Sequence, residues 1–338
     1  MVSSISLALN KLMSGEDLGV DEADQLLRQM VYASDVEVAA ILSALQTKQI
    51  TSEEVTGFAR ALRHMAGKIE VSMHVADTCG TGGDGLNTIN VSTASALVLS
   101  CFIPVAKHGN SGITSRCGSA DLLKELGIHP SLTSEMVNLT LQEAGLSFLY
   151  APLIHRTMSR VAGVRKILKI PTIFNILGPL SNPVEPDYQL IGVYSPHLCK
   201  ILAESMLMLG IRGIVVHGSG LDEVSIAEAT QVYEVRNCVD SYAIQPEDFG
   251  FERRKLTEVA GGDSRYNKRV ILDAFSNKEG PIRDFILINA GMALYAAERV
   301  QSIEDGIEAC RHGFEDGTVL KHVKRVMAYY RRLRCGRV

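Results

Sequence analysis

The chain has 338 residues, of which 46% are hydrophobic and 21% charged, and its formal net charge is -4. That length gives room for two domains with sizeable cores, and the composition excludes a disordered chain. The negative balance gives no overall attraction to nucleic acid, and the basic cluster at Lys321, Lys324, Arg325, Arg331, Arg332, Arg334 and Arg337 reads as a solvated helix face.

The opening residues, MVSSISLALNKLMSGEDLG, have no basic leader region and only a short apolar stretch, which argues against a secretory signal. Over residues 5–68 the pattern is helical. Leu9, Leu12 and Met13 fit one amphipathic helix; Ala23, Leu26, Leu27 and Met30 a second; Val38, Ile41, Leu42 and Leu45 a third; Val55, Phe58, Ala59 and Leu62 a fourth. Asp21 and Ser52 sit where helix caps are expected. No catalytic constellation appears here. Short helices with apolar faces on more than one side suit a bundle that either buries surface against a second copy or packs within the chain.

After Val75 the pattern changes to short β-branched runs alternating with helical stretches, at 103–106, 146–150, 190–194, 214–217 and 232–235. Such alternation predicts an α/β fold, a mostly parallel sheet flanked by helices, with ligands at the carboxyl ends of the strands. The longest apolar run, residues 94–106, is broken by serines and Pro104 and falls short of the roughly 18 residues of a membrane helix. The seven cysteines, at 79, 101, 117, 199, 238, 310 and 335, are scattered without a C-x-x-C pair and read as free thiols of a reducing compartment. A cytoplasmic protein with no membrane or nucleic-acid partner is expected.

Residues 77–118 read DTCGTGGDGLNTINVSTASALVLSCFIPVAKHGNSGITSRCG. Gly80, Gly82, Gly83 and Gly85 leave a run of backbone N–H groups uncovered, a loop able to wrap an anion. Taken alone, GTGGDG is equally an ordinary strand-to-helix turn, and it lacks the ending of a P-loop. Asn90-Val91-Ser92-Thr93 then opens an apolar helix whose N-terminus favours phosphate. The run at 103–106 reads as a strand delivering Lys107, His108, Gly109 and Asn110 at its end, with Ser115, Arg116 and Ser119 on a second polar turn. Further on, Arg156, Arg160 and Arg165 are spaced to share a helix side, which on its own is an exposed basic face. Asp222 and Glu223 follow a glycine turn, as solvated acids or, at a strand end, as oxygen ligands for Mg2+.

In combination, DTCGTGGDG, NVST, KHGN and TSRCGSAD, followed by HRTMSRVAGVRK, PTIFNILGPLSNP and GLDE, resemble the anthranilate phosphoribosyltransferase family over essentially the whole chain, most densely from 77 to 225. The resemblance implies a small helical domain, 1–70, that mediates a homodimer. A crossing segment near 163–186 joins it to an α/β domain, 71–338, of the nucleoside phosphorylase and phosphoribosyltransferase type. It implies transfer of the 5-phosphoribosyl group from phosphoribosyl pyrophosphate to the amine of anthranilate in tryptophan biosynthesis, with two Mg2+ per subunit.

By the same resemblance, Gly80, Gly83, Asp84, Thr88, Asn90, Val91, Ser92, Thr93, Lys107, Ser115 and Ser119 hold phosphoribosyl pyrophosphate, and Ser92, Asp222 and Glu223 hold the metal. Gly80, His108, Asn110, His155, Arg165 and Pro179 hold anthranilate, with Lys107, Asn110 and Arg165 as the catalytic set. The segments GGD at 261–263, KEGP at 278–281 and INAGMALY at 288–295 also resemble the family and read as packing elements. One departure bears on function: Ser111 stands where the family usually has arginine after KHGN. A second, Ala33-Ser34 in place of a glycine, does not. The rival readings are a pyrimidine nucleoside phosphorylase, which needs a base-binding motif in place of KHGN, and a non-catalytic nucleic-acid-binding relative, which needs a basic groove.

Overall fold

The computed structural model describes residues 4–112, 116–131 and 133–335. Four helices come first: α1 (Ser4–Met13), α2 (Val20–Met30), α3 (Asp35–Lys48) and α4 (Ser52–Ala66). The apolar positions read from the sequence turn inward, with Leu27, Ile41, Leu45, Val55 and Phe58 fully buried, although Met13 is 73% exposed. The caps sit elsewhere than expected. Asp21 and Ser52 lie inside their helices, and Gly19, Ser34 and Thr51 take the cap positions. Each is followed three residues on by a glutamate, and the carboxylates of Glu22, Glu37 and Glu54 accept from the cap N–H groups at 2.8, 2.8 and 3.0 Å. Glu54 is fully buried and also takes the Leu18 N–H and the Lys48 ammonium, both at 3.1 Å.

The rest of the chain builds one sheet and its helices. In order come β1 (Ala76–Gly80), α5 (Val91–Leu99), β2 (Val105–Gly109), α6 (Ser119–Glu125), α7 (Ser134–Ala144), β3 (Leu146–Tyr150), α8 (Ala151–Ile154), α9 (Ser159–Leu168), β4 (Tyr188–Gly192), α10 (His197–Met208), β5 (Arg212–His217), β6 (Thr230–Val235) and β7 (Val239–Ile244). Helices α11 (Ser264–Phe275), α12 (Pro281–Ala296), α13 (Ile303–Glu315) and α14 (Thr318–Arg334) follow. The strand order is β3-β2-β1-β4-β5-β6-β7. The first five strands run parallel, and β6 and β7 are antiparallel at one edge. The mostly parallel sheet expected from the alternation is present. Two of its strands were not expected as runs: β1 (ADTCG) is polar, and β7 (VDSYAI) is largely exposed.

One face of the sheet packs under α5, α12, α13 and α14, where Leu97, Val105, Phe148, Ile214, Phe285 and Ile288 share a core. The other face continues into the helical bundle. Ile191, Val193 and Val215 of the sheet region share a core with Leu27, Phe58, Val161, Ile176 and Leu202. Helix α9 and the 3-10 turns Ile173–Asn175 and Pro179–Ser181 lie in that second core, so the crossing segment is packed between bundle and sheet. Because five strands are parallel, Gly80, Gly109, Tyr150, Gly192 and His217 end on one edge, where ligands of such sheets collect. Among the described residues no helix is long and apolar enough to cross a membrane.

Candidate active site

Three of the five parallel strands end in glycine, and in each case another segment needs the space. A Cβ on Gly80 would lie 2.1 Å from Asp222 Oδ2, one on Gly192 1.6 Å from the Asp222 carbonyl oxygen, and one on Gly109 2.3 Å from Ser119 Oγ. The loop after β5 therefore crosses the ends of β1 and β4 and lodges Asp222, 8% exposed, between them. Its carboxylate accepts from the Gly82 N–H at 2.6 Å. Asn289 of α12 holds the next residues in place, accepting from the Val224 N–H at 2.9 Å and donating to the Val224 carbonyl at 3.0 Å.

Burial and the neighbouring Asp84 charge push the Asp222 carboxyl up to about 7. Desolvation and Asp222 push Glu223 well above the usual carboxylate range. Three carboxyl groups, Asp84, Asp222 and Glu223, thus crowd together, with Lys107 as the cation that offsets Glu223. All their donors are oxygens, and their mutual repulsion is what a hard divalent cation such as Mg2+ relieves. Among the described residues no three His, Cys, Asp or Glu side chains form a complete metal cage. Mg2+ fits such a partial set, since it draws its remaining ligands from water and phosphate oxygens.

The glycine loop lies against these acids. Gly82, Gly83 and Gly85 take φ of +68°, +90° and +71°, left-handed conformations that glycine adopts without strain, so the loop runs here as bare backbone. The Thr81 N–H donates to the Gly192 carbonyl at 2.9 Å, and Thr81 Oγ1 accepts from the Tyr194 N–H at 3.3 Å. The Tyr194 ring lies 3.6 Å from where a Gly83 Cβ would stand. Thr88 pairs with Ala260, and a Cβ on Gly261 would strike the Thr88 carbonyl oxygen at 2.4 Å.

Helix α5 begins on the same edge. Asn90 holds its cap position without capping it: the amide donates to the Cys117 carbonyl at 2.8 Å, and Oδ1 accepts from Asn267 Nδ2 at 2.8 Å. The first turn is left without a side-chain cap, and the Ser92 backbone steadies the Glu223 carboxylate. Val91 and Thr93 are buried, and Thr93 Oγ1 has no partner.

Lys107 departs from expectation. Strand β2 starts at Val105 rather than 103 and runs on to Gly109, so Lys107 and His108 lie within it, with side chains on opposite faces. Lys107 is 1% exposed, and its ammonium donates to the Thr78 carbonyl at 2.6 Å. Its charge offsets the buried Asp77 and Glu223. It serves as a counter-charge under the loops and does not project from a turn.

Of the residues expected at the acceptor, His108 and His155 meet the turn at residues 178–182, which contains Pro179 and in which every residue is tied down. His108 Nδ1 donates to the Gly178 carbonyl at 3.2 Å, Gln189 to the Pro179 carbonyl at 2.8 Å and Arg63 to the Leu180 carbonyl at 2.6 Å. The Ser181 backbone partners His155, and Asn182 donates to Asp77 at 3.0 Å and to the Ala106 carbonyl at 2.8 Å. His108 and His155 meet edge to face with centroids 5.4 Å apart, and the Nε2 of each lacks a partner. Burial brings His108 down to about 3 and His155 to about 4, so both are neutral at pH 7.

Arg165 is half-buried on α9. It donates to Asn175 Oδ1 at 3.3 Å, lies over the Phe174 ring at 5.4 Å, and has its pKa lowered by burial. Arg156 falls in the 3-10 turn Arg156–Met158, and Arg160 donates to the Ala33 carbonyl at 2.7 Å, so the three arginines do not share one exposed helix face.

Asn110 and Ser119 meet on the adjoining turn, Ser119 Oγ bridging the Asn110 N–H and carbonyl at 3.1 Å each. Asp121 accepts from the Gly112 and Gly118 N–H groups at 3.0 and 2.8 Å. Ser111 Oγ lies 3.0 Å from the Tyr150 hydroxyl. Ser115 lies outside the described residues. Asn182, Tyr194, Asn267 and Asn289 were not expected here. The segments 261–263 and 288–295, read as packing alone, include or adjoin residues that brace the site. A lone asparagine in the apolar run of α12 was the available signal, since a buried amide needs partners.

Residues 72–320 match the glycosyl transferase family, a/b domain, and residues 6–66 its helical bundle domain. The anthranilate phosphoribosyltransferase of Methanococcus vannielii is 41% identical over 320 residues, covering 94% of this chain and 99% of that protein. The crystal structure of the Thermus thermophilus anthranilate phosphoribosyltransferase superposes with a TM-score of 0.89 at 36% identity, covering 96% of this chain and 99% of that one. The Saccharomyces cerevisiae enzyme, in complex with phosphoribosyl pyrophosphate and Mg, gives 0.87 at 26% identity, covering 97% and 99%.

Proposed function

Because the chain belongs to the anthranilate phosphoribosyltransferase family, we propose that the site at its carboxyl edge transfers the 5-phosphoribosyl group of phosphoribosyl pyrophosphate to the amine of anthranilate, releasing pyrophosphate. The observation that carries this reading is the packing of Asp84, Asp222 and Glu223 against the bare glycine loop at Gly82 and Gly83. A cation site and an anion site then share one wall, which suits a metal-bound pyrophosphate. Asp222 and Glu223, with Ser92 at a second position, would hold two Mg2+ per subunit. When bound, Mg2+ neutralises charge on the leaving pyrophosphate.

The chain's own groups do the rest. Gly80, Gly83, Asp84, Thr88, Asn90, Val91, Ser92 and Thr93, with Ser115 and Ser119, would line the phosphates and ribose. Lys107 would oppose negative charge from below. The reaction centre is C1 of the ribose, whose ring oxygen shares developing positive charge, so no enzyme nucleophile is needed. Positioning and electrostatics dominate. Arg165, held by Asn175 and Phe174, would grip the acceptor carboxylate with a planar fork. Gly80, Asn110 and Pro179 would orient the amine. An aromatic amine is uncharged at pH 7, so a strong base is unnecessary, and the partnerless Nε2 atoms of His108 and His155 are weak acceptors suited to the acidic proton released after attack. The exposed Leu7, Tyr32 and Val36 support a homodimer through the bundle, and a cytoplasmic site of action suits the free thiols.

The test is the loss of anthranilate fluorescence on adding the protein to anthranilate, phosphoribosyl pyrophosphate and Mg2+. The native protein should remove the signal, and an Asp222→Asn/Glu223→Gln variant should not. A signal that persists with native protein at high substrate would sink the assignment. A phosphorylase or nucleic-acid-binding reading gains no support: KHGN is intact, and the edge is acidic.

A further inference from the structure

Arg63 is the only buried arginine among the described residues, 6% exposed, and it has no carboxylate partner. Its Nε donates to the Leu180 carbonyl at 2.6 Å, and its Nη2 has no partner at all. Glu185, the carboxylate whose charge reaches it, is held by Lys68 at 3.1 Å. Burial brings the guanidinium down to about 10, still charged at pH 7. A buried cation with a single carbonyl partner destabilises a fold relative to an apolar side chain of the same volume. Such a cost persists most readily where binding uses the charge.

The surroundings say what could use it. Leu180 is the middle of the turn whose Gly178 and Ser181 partner His108 and His155, and the Arg63 charge is felt at His108. Arg165 is similar: half-buried, without a carboxylate partner, and tied to the same crossing segment by one oxygen, Asn175 Oδ1. Two desolvated guanidiniums thus serve one segment, and among the described residues neither is bonded to a carboxylate. In a water-poor interior a charge acts over longer distances than at a surface.

We propose that Arg63 is a positioning residue for the acceptor: from α4 it fixes the turn at 178–182 and adds a second positive charge, beside that of Arg165, for the carboxylate of the incoming amine. The proposal rests on the acceptor being an aromatic amine with a carboxylate, as argued above. It extends the acceptor site into the helical bundle, since α4 belongs to the bundle and the turn lies against the sheet.

The test compares wild type with Arg63→Met, Arg63→Gln and Arg63→Lys by steady-state kinetics, varying anthranilate and phosphoribosyl pyrophosphate separately. Loss of the charge in Arg63→Met should raise KM for anthranilate about tenfold and leave KM for phosphoribosyl pyrophosphate within about twofold. Arg63→Lys, which keeps the charge, should return to within about threefold of wild type. Should Arg63→Met fail to fold, Arg63→Gln keeps an amide donor for Leu180 without the charge and should show the same split. An anthranilate KM within about twofold of wild type in folded Arg63→Gln overturns the inference, as does an equal rise in both KM values. A wild type that leaves anthranilate unchanged overturns the activity, and this inference with it.

Discussion

Gly80→Ala is the most direct probe of the metal-side geometry, because it changes one methyl group where two strands and a loop meet. The added Cβ would lie 2.1 Å from Asp222 Oδ2, 2.7 Å from Cγ and 3.1 Å from the carbonyl oxygen. The Asp222 chain is pinned by Val224 on Asn289, so the carboxylate must swing away and release the Gly82 N–H. A shift of roughly 1 Å in a reacting constellation costs about a hundredfold in rate. That corresponds to about 2.7 kcal/mol of transition-state stabilisation. Initial rates of anthranilate consumption across a Mg2+ titration should show kcat/KM down about a hundredfold and the Mg2+ half-saturation raised. Gly163→Ala, on α9 with nothing within 4 Å of its added Cβ, is the control and should stay active. A Gly80→Ala rate within about threefold of wild type, with unchanged Mg2+ dependence, would refute the lodging of Asp222 between the strand ends.

Three further outcomes follow from other parts of the molecule. Glu54→Ala removes a fully buried carboxylate that takes the Leu18 and Thr51 N–H groups and Lys48, and should destabilise the protein by about 3 kcal/mol. A loss under about 1 kcal/mol in urea unfolding would contradict that network. The Asp222 carboxyl, pushed up to about 7 from 3.8, keeps its proton in the folded chain through a pH range where the unfolded chain has lost it. Stability of the metal-free protein should therefore fall from pH 4 toward 7 through this group and level off above. Asp222→Asn should then melt no lower than wild type at pH 8, and Mg2+ half-saturation should tighten between pH 6 and 7 and flatten beyond. Ser111→Arg, which replaces the hydroxyl 3.0 Å from Tyr150 with a cation at the substrate edge, should lower KM for a substrate. A KM that is unchanged or higher counts against a role for position 111 in holding substrate.

What could be read in advance depended on whether a residue's role shows in local pattern. The bundle helices were legible because apolar residues recur at helical spacing within each, as Ala23, Leu26, Leu27 and Met30 do in α2, and β3 matched its run of apolar residues. Strand β1 was illegible as a run because its Asp77 and Thr78 are buried polar groups, satisfied by Asn182 and Lys107 from distant segments. The same cause misplaced Lys107, since a lysine inside a buried strand is improbable until its counter-charges are known. Helix starts were read one or two residues late, because Gly19 and Thr51 cap through a glutamate three residues on. The glycine loop and the GLDE acids were legible as motifs. That Gly80 and Gly192 exist to admit Asp222 depends on strand adjacency, which no local pattern carries.

The turn at 178–182 also bears on when the protein can become competent. Its bonds span 117 residues to Arg63, 105 to Asp77 and 70 to His108. Contacts of such separation form late, because long loops must close before any of them is made. Helix α5 and the loop before it lie close together in sequence, yet their own ties are longer still, 140 residues from Gly82 to Asp222 and 177 from Asn90 to Asn267. The acceptor side requires the bundle and the central strands to be in place together. A nascent or partly opened chain would thus be ready for neither the activated sugar phosphate nor the amine, and both sides of the site come together only when nearly the whole chain has assembled.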